Sequence, residues 1–120
     1  MLTVSKEEFL KLYEGILESD YEKLVSARNA KGEPYNIVEL PMTPKNVVGL
    51  EYKGSYLNYY IGNEVILLPV YNDANDEVAI SILYEIYEDR KIIPINVTGL
   101  YQYGGMLHCV TQQQPLNKNE

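Results

Sequence analysis

With 120 residues, 46% of them hydrophobic and 22% charged, the chain has the makeup of one globular unit, 1–120, too short for two ordinary domains. Ten Lys and Arg against seventeen Asp and Glu leave a net charge of -7, which argues against nucleic-acid or anionic-lipid partners and for a cationic or neutral ligand. One cysteine excludes an internal disulfide, no apolar run approaches the roughly 20 residues of a membrane span, and no basic-then-apolar signal pattern opens the chain, so a cytoplasmic protein is expected.

Ser5 with Glu8 forms a capping box, and Phe9, Leu12, Tyr13, Ile16 and Leu17 follow at helical spacing, with Leu24 and Ala27 extending the stripe. Gly15 and Glu18-Ser19-Asp20 interrupt it, so one long helix or two short ones both fit, and Asn29-Ala30-Lys31-Gly32 reads as the stop. Tyr35 to Leu40 alternates as a strand ended by Pro41 and Pro44, and Met42 to Gly54 reads as a long loop. Ser55 to Ile61 is a Tyr-rich strand pattern, Gly62-Asn63 a two-residue turn of the kind that accepts positive φ, and Glu64 to Val70 a nearly continuous apolar strand. Together they predict a hairpin buried on both faces. Asn72 to Glu77 supplies caps and first-turn acids for a helix whose apolar face is Val78, Ala79, Ile82, Leu83 and Ile86, after which Arg90 and Lys91 lead into a strand from Ile92 to Val97.

The order strand, strand, helix, strand is most simply a right-handed crossover between parallel neighbours in a small mixed sheet with one helical face. The opening helix with its Tyr35 strand looks like the close of an equivalent module, and a strand at Met106 looks like the opening of another. Element order thus reads as α/β: about one complete ββαβ module flanked by parts of its neighbours in a repeating array. Uncovered sheet edges in such a slice favour self-association, as a homo-oligomer.

The segment Gly104-Gly105-Met106-Leu107-His108-Cys109-Val110-Thr111-Gln112-Gln113-Gln114-Pro115 carries the only cysteine and the only histidine behind a glycine pair. On a short strand Cys109 is either a presented nucleophile or an inert core thiol, the commoner state of unpaired Cys. Strand alternation would turn His108 to the opposite face, as packing or support and not as a base. Gly104 and Gly105 either make the turn into the strand or let the backbone approach a ligand. Asn58 reads as a buried amide satisfying backbone groups. The acidic run Asp73 to Glu77 lacks calcium-loop spacing, so neither a metal nor another cofactor is expected. The twelve tyrosines have no stacking register and suggest packing or an interface. Asn96-Val97-Thr98 fits a glycosylation acceptor but reads as a chance tripeptide in a strand.

SYLNYYIGNEVILLPVYNDANDEVAISIL, DRKIIPINV and GGMLHCVTQQQP resemble, in order and spacing, the carboxyl-terminal part of agmatine deiminases and bacterial peptidyl-arginine deiminase-like proteins, over roughly residues 22 to 115. The resemblance implies the pentein fold, a propeller of five ββαβ modules around a polar channel, of which this chain is an incomplete carboxyl-terminal portion. It also implies hydrolysis of a guanidino group to a ureido group with release of ammonia, as from agmatine to N-carbamoylputrescine in polyamine synthesis. Cys109 falls on the family's nucleophile, with Gly104 and Gly105 on the substrate side. The family's catalytic histidine, its aspartate and the carboxylates that clamp a small cationic guanidine fall on no residue here. The implied partners are therefore that substrate and the missing amino-terminal modules, and the chain alone is expected to be inactive. Tyr103 and Met106 stand where many family members carry a glycine and an asparagine, which leaves agmatine, peptidyl-arginine or another guanidine open as substrate. A non-catalytic fragment that folds or self-associates is the competing expectation.

Overall fold

The structure, a computed structural model, describes Glu7 and residues 18–117. Among these, helix α1 spans Glu18–Ser26, strands β1 Met42–Asn46, β2 Lys53–Ser55, β3 Tyr60–Ile61 and β4 Val65–Val70, helix α2 Asp76–Ile86, strand β5 Lys91–Asn96 and helix α3 Thr98–Tyr101. A 3-10 turn, His108–Val110, follows. The expected capping box at Ser5 and Glu8 and the stripe from Phe9 to Leu17 lie outside the described residues. Where the stripe was expected to continue, α1 buries no residue and Leu24 is exposed. The stop holds: Gly32 donates its N–H to the Asn29 carbonyl at φ +79, while the Asn29 side-chain oxygen takes the N–H groups of Lys31 and Glu33.

Two expectations for the next stretch fail. Tyr35 to Leu40 forms no strand, and its Tyr35 ring is exposed. Met42 to Gly54 is not a loop but an irregular antiparallel pair, β1 with β2, in which Met42 faces Ser55 and Asn46 faces Lys53. Buried Thr43 holds it, donating its hydroxyl proton to the Lys45 carbonyl at 2.7 Å and accepting the Gly54 N–H at 2.8 Å.

The second sheet is mixed, in the order β3-β4-β5, with β3 antiparallel and β5 parallel to β4. This matches the strand, strand, helix, strand order, although regular pairing of the first strand shrinks to Tyr60–Ile61. The turn is set by Gly62 donating its N–H to the Val65 carbonyl, so Asn63 and Glu64 sit at its centre, and neither they nor Gly62 has positive φ. Nor is the hairpin buried on both faces: Ile66, Leu68 and Pro69 of β4 are buried, whereas Ile61 is exposed.

Proline explains why β3 stops early. Lys91 donates to the Glu64 carbonyl and Val97 to that of Val70, so even-numbered residues of β4 point their backbone groups at β5 and odd-numbered ones at β3. Pro69 is odd and lacks an N–H, so β3 cannot extend its ladder past Leu67 on that side. Pro94 of β5 falls, by the same parity, on the open edge, where no donor is needed.

Helix α2 carries β4 over to β5 and buries Ala79 and Leu83, one turn apart, with Ile80 and Ile82 partly buried beside them. Val78 and Ile86, expected on this face, are exposed, so the buried stripe is narrower than predicted. Its first turn is held by Asp76, whose carboxylate accepts the Tyr56 hydroxyl at 2.7 Å and the backbone N–H groups of Tyr71 and Asp73. The remaining core is Leu40, Val47, Tyr56, Ile66, Leu68, Tyr71, Val97 and Leu107. Four tyrosines pack edge to face as a chain, Tyr56 on Tyr71, Tyr71 on Tyr101 and Tyr101 on Tyr52, with ring centroids 5.2 to 5.6 Å apart.

Tyr71 sits closest to the backbone at Gly54, where a Cβ would stand 2.7 Å from its ring. The ring cannot swing aside, since its hydroxyl donates to the Ser55 carbonyl at 2.6 Å and lies against the Met106 sulfur. Gly54→Ala should therefore cost about 1–3 kcal/mol by overpacking; an unchanged urea midpoint would show that the ring yields. Burial also pushes the Tyr56 and Tyr71 phenols far above the ordinary tyrosine range, reinforced at Tyr56 by the Asp76 hydrogen bond. Unfolding lets them ionise near pH ~10 while the folded state keeps their protons, so stability should hold below that pH and fall above it by about 1.4 kcal/mol per pH unit per phenol. A urea midpoint that stays level between about pH 9 and 11 would contradict this reading of their burial.

Candidate functional site

Cys109 lies in a 3-10 turn and not, as expected, on a strand. Leu107 anchors the turn in the core, Val110 donates its N–H to the Leu107 carbonyl, and Thr111 closes the far end by donating both its N–H and its hydroxyl to the His108 carbonyl. Threonine chemistry thus stops the segment from extending, whereas a short apolar run behind a glycine turn suggested a strand. The glycine pair before it divides its roles. Gly104 has φ +86 and open space where a Cβ would project, so the turn itself requires it. A Cβ on Gly105 would stand 3.8 Å from the Cys109 Cβ, an ordinary contact distance, so this residue is a neighbour of the cysteine.

The thiol is exposed and unpaired, not sealed in hydrocarbon. Asn58 reaches it from the irregular stretch ahead of β3. The Asn58 amide nitrogen donates to the Cys109 sulfur at 3.2 Å, its amide oxygen accepts the Cys109 backbone N–H at 3.2 Å, and its own carbonyl accepts the His108 N–H at 3.3 Å. The Cys109 pKa lies below the ordinary thiol value; hydrogen bonding from the Met106 backbone is the main cause and the Asn58 side chain the next. Both favour the thiolate, the form that attacks carbon. Reading Asn58 as a purely structural amide therefore missed its contact with the sulfur. The available signal was its place in Ser55-Tyr56-Leu57-Asn58, where the buried Tyr56 fixes the residue two positions on.

With no strand at 106–110, alternation no longer governs His108. Its ring lies beside Tyr60, with centroids 6.3 Å apart, and its Nε2 is 3.5 Å from the Gln113 amide nitrogen. Gln113 and Gln114 line a shallow cleft of about 310 Å³ with Tyr60, Gly62 and Asn63. A larger one of about 760 Å³ lies elsewhere, lined by Asn36, Val38, Tyr59, Ile82, Glu85 and Tyr87. Cys109 lines neither. Among the described residues, no three His, Cys, Asp or Glu side chains gather in a way that could hold a metal, and no helix is long and apolar enough to cross a membrane. Asn96 does not sit mid-strand: it ends β5, and its side-chain oxygen accepts the N–H and hydroxyl of Thr98 to start α3.

Residues 3–115 match the family described as Porphyromonas-type peptidyl-arginine deiminase. The chain is 30% identical over 122 residues to a Latilactobacillus sakei protein named "Putative agmatine deiminase", covering 86% of this chain and 33% of that one. Among solved structures, it is similar to the agmatine deiminase of Enterococcus faecalis, described as catalysing its reaction, with a TM-score of 0.76 and 26% identity over 92% of this chain and 35% of the other. An arginine deiminase, so assigned provisionally, from Porphyromonas gingivalis has a TM-score of 0.72 and 34% identity over 81% of this chain and 29% of its own. The chain thus spans about a third of the length of these relatives.

An exposed sulfur with a lowered pKa should react without unfolding. Iodoacetamide should modify Cys109 completely in the native chain, with half-maximal rate at a pH below that of a free cysteine derivative. Protection of the thiol until urea is added would refute the exposed geometry.

Proposed function

The chain belongs to the Porphyromonas-type peptidyl-arginine deiminase family, and from that premise we propose that it is the nucleophile-bearing carboxyl-terminal portion of an agmatine deiminase-like hydrolase. In this reading the ββαβ unit of β3, β4, α2 and β5 is one blade of a pentein propeller whose other blades stand on polypeptide beyond this chain. The substrate is a small guanidinium cation, which suits a chain of net charge -7. The observation that carries the proposal is Cys109: exposed, lowered in pKa and held by Asn58 on the segment that bears the family signature.

The Cys109 thiolate attacks the guanidinium carbon, and the C=N π electrons move onto nitrogen to give a tetrahedral adduct. The adduct expels one nitrogen as ammonia once that nitrogen has taken up a proton, leaving a thiouronium bonded through sulfur. Water then adds to the same carbon, and the carbon–sulfur bond breaks to return the thiolate and release the ureido product. Overall, guanidinium and water become ureido compound and ammonium. The chain's own share is to hold the sulfur in place, keep it ionised and give it back as a good leaving group. Gly105, a neighbour of Cys109, and Gly104, which makes the turn before it, flank the substrate in this reading. The base for water and the carboxylates for the cation come from the other blades. The agmatine deiminase names of the relatives favour agmatine over peptidyl-arginine. A reducing cytoplasm suits a reaction that needs its one thiol free.

The test is ammonia release from agmatine. The 120-residue chain alone should give none above background, and a protein of the relatives' full length carrying this segment should release ammonia and N-carbamoylputrescine. Cys109→Ala in that longer protein should lower turnover at least 10³-fold, as loss of a covalent nucleophile does. Activity that survives the replacement would overturn the assignment.

A further inference from the structure

We propose that Tyr103 binds the guanidinium of the substrate: its ring offers an aromatic face beside Cys109 on which the flat cation lies while the sulfur attacks. This deepens the deiminase reading and rests on Cys109 being its nucleophile.

Tyr103 carries a ring with nothing to pack on. It is 92% exposed, the most exposed tyrosine among the described residues, and among those residues its side chain has no ring or hydrogen-bond partner. Exposure alone marks no site, since single apolar side chains are common on surfaces. Here the backbone beneath the ring is fixed. Tyr103 donates its N–H to the Leu100 carbonyl and Gly104 donates to that of Tyr101, both at 3.0 Å. Gln102 ties the end of α3 to the Val48 carbonyl at 3.2 Å, and the Tyr101 hydroxyl donates to the Lys53 carbonyl at 2.9 Å. What stays free at Tyr103 is rotation of the side chain.

The space from that ring to the sulfur is open. Gly104 turns the chain at φ +86, and a Cβ there would meet nothing within 4 Å. A Cβ on Gly105 would meet, beyond its chain neighbours, only the Cys109 Cβ at 3.8 Å. Two chain steps of about 3.8 Å place the Cα atoms of Tyr103 and Gly105 at most about 7.6 Å apart, a span that a tyrosine side chain covers. The thiol beyond them is exposed.

A guanidinium is planar, delocalised and weakly hydrated, so it settles on the negative face of an aromatic ring, within about 6 Å of the centroid. The groups that lower the Cys109 pKa serve the sulfur and leave the cation unaddressed. A ring attracts the cation without bringing a charge of its own, whereas a carboxylate at position 103 would push the thiol pKa back up. The attraction also ends with the reaction, because the ureido product is neutral where the guanidinium was charged. The ring therefore selects flat cations at the carbon to be attacked and does not retain what leaves.

Cys109 is the only cysteine, so alkylation reads its sulfur alone. The native 120-residue chain is treated with chloroacetamidine, a flat amidinium cation, and separately with neutral iodoacetamide at the same pH and ionic strength. The ratio of the two rates is compared among the unmodified chain, Tyr103→Ala, Tyr103→Phe and Tyr103→Trp, with circular dichroism to confirm the fold. None of these replacements changes the net charge at neutral pH, so the ratio cancels the acidity of the thiol and the overall negative field of the chain. Tyr103→Ala should lower the ratio about two- to fivefold, Tyr103→Phe should keep it, and Tyr103→Trp should raise it, following the strength of the ring faces toward cations. A folded Tyr103→Ala chain with an unchanged ratio overturns the proposal. So does a Tyr103→Phe chain that loses as much as Tyr103→Ala, since the effect would then belong to the hydroxyl. Neither rate reads turnover, so failure here would leave the nucleophile assignment standing, while activity surviving Cys109→Ala in the longer protein would remove that assignment without touching the ratio.

Discussion

One carboxylate organises the molecule. Asp76 stands in the first turn of α2, where a negative charge meets the positive end of the helix dipole, and it accepts the Tyr56 hydroxyl together with the N–H groups of Tyr71 and Asp73. Those bonds tie the stretch before β3, the residue after β4 and the start of α2 at one point. Through Tyr71 the tie continues to the Ser55 carbonyl and the Met106 sulfur. Asn58 follows Tyr56 by two positions and Cys109 follows Met106 by three, so both halves of the Asn58–Cys109 contact hang from the same carboxylate. Beside it, Asn75 makes no helix cap of its own; its amide nitrogen donates to the Met42 carbonyl at 2.7 Å and draws β1 onto the same corner.

What could be read from the residues divides along physical lines. The unit from Val65 to Asn96 was legible because each element carries a strong local signal and the signals agree: the apolar run of β4, the acids opening α2 and the β-branched run of β5 leave one simple topology. Elements held by side chain to backbone bonds were not legible. The β1–β2 pair depends on the Thr43 hydroxyl, and the 3-10 turn at Cys109 depends on Thr111 folding back on His108. Both threonines look, in sequence, like ordinary strand residues, since threonine favours strands as readily as it caps turns. Tyr35 to Leu40 failed in the opposite sense: its alternation is real, yet it makes only a single bridge, at Glu39, and joins neither sheet. Alternation shows that a segment suits a sheet and supplies no partner.

The cysteine shows the same division. Its identity was legible in the terminal signature, and its turn and its amide partner were not. Had the strand been real, His108 and Cys109 would point to opposite faces; in a turn with three residues per revolution they stand about 120° apart, and the exclusion of His108 as a base loses its geometric ground. What remains is its contact with Tyr60 and Gln113, which ties the histidine to the glutamine run.

A thiol can be made reactive by cations, by a helix dipole or by neutral donors, and these respond differently to an arriving substrate. Cations beside Cys109 would repel a guanidinium, and a strong helix dipole would do so at longer range. Neutral donors do not, and the sulfur's hydrogen-bond partners here are neutral amides. The cost is that short-range donors must be held in place, because they act only through direct contact and the turn that bears the sulfur is exposed. Holding them requires rigid structure on both sides, and the chain supplies it from Tyr56 and Leu107, two buried anchors, one beside each partner of the contact. The motif around Cys109 therefore names the sulfur and, through the Met106 backbone, carries the main cause of its acidity, while the second donor, Asn58, arrives from 51 residues away only when the Asp76 corner has closed.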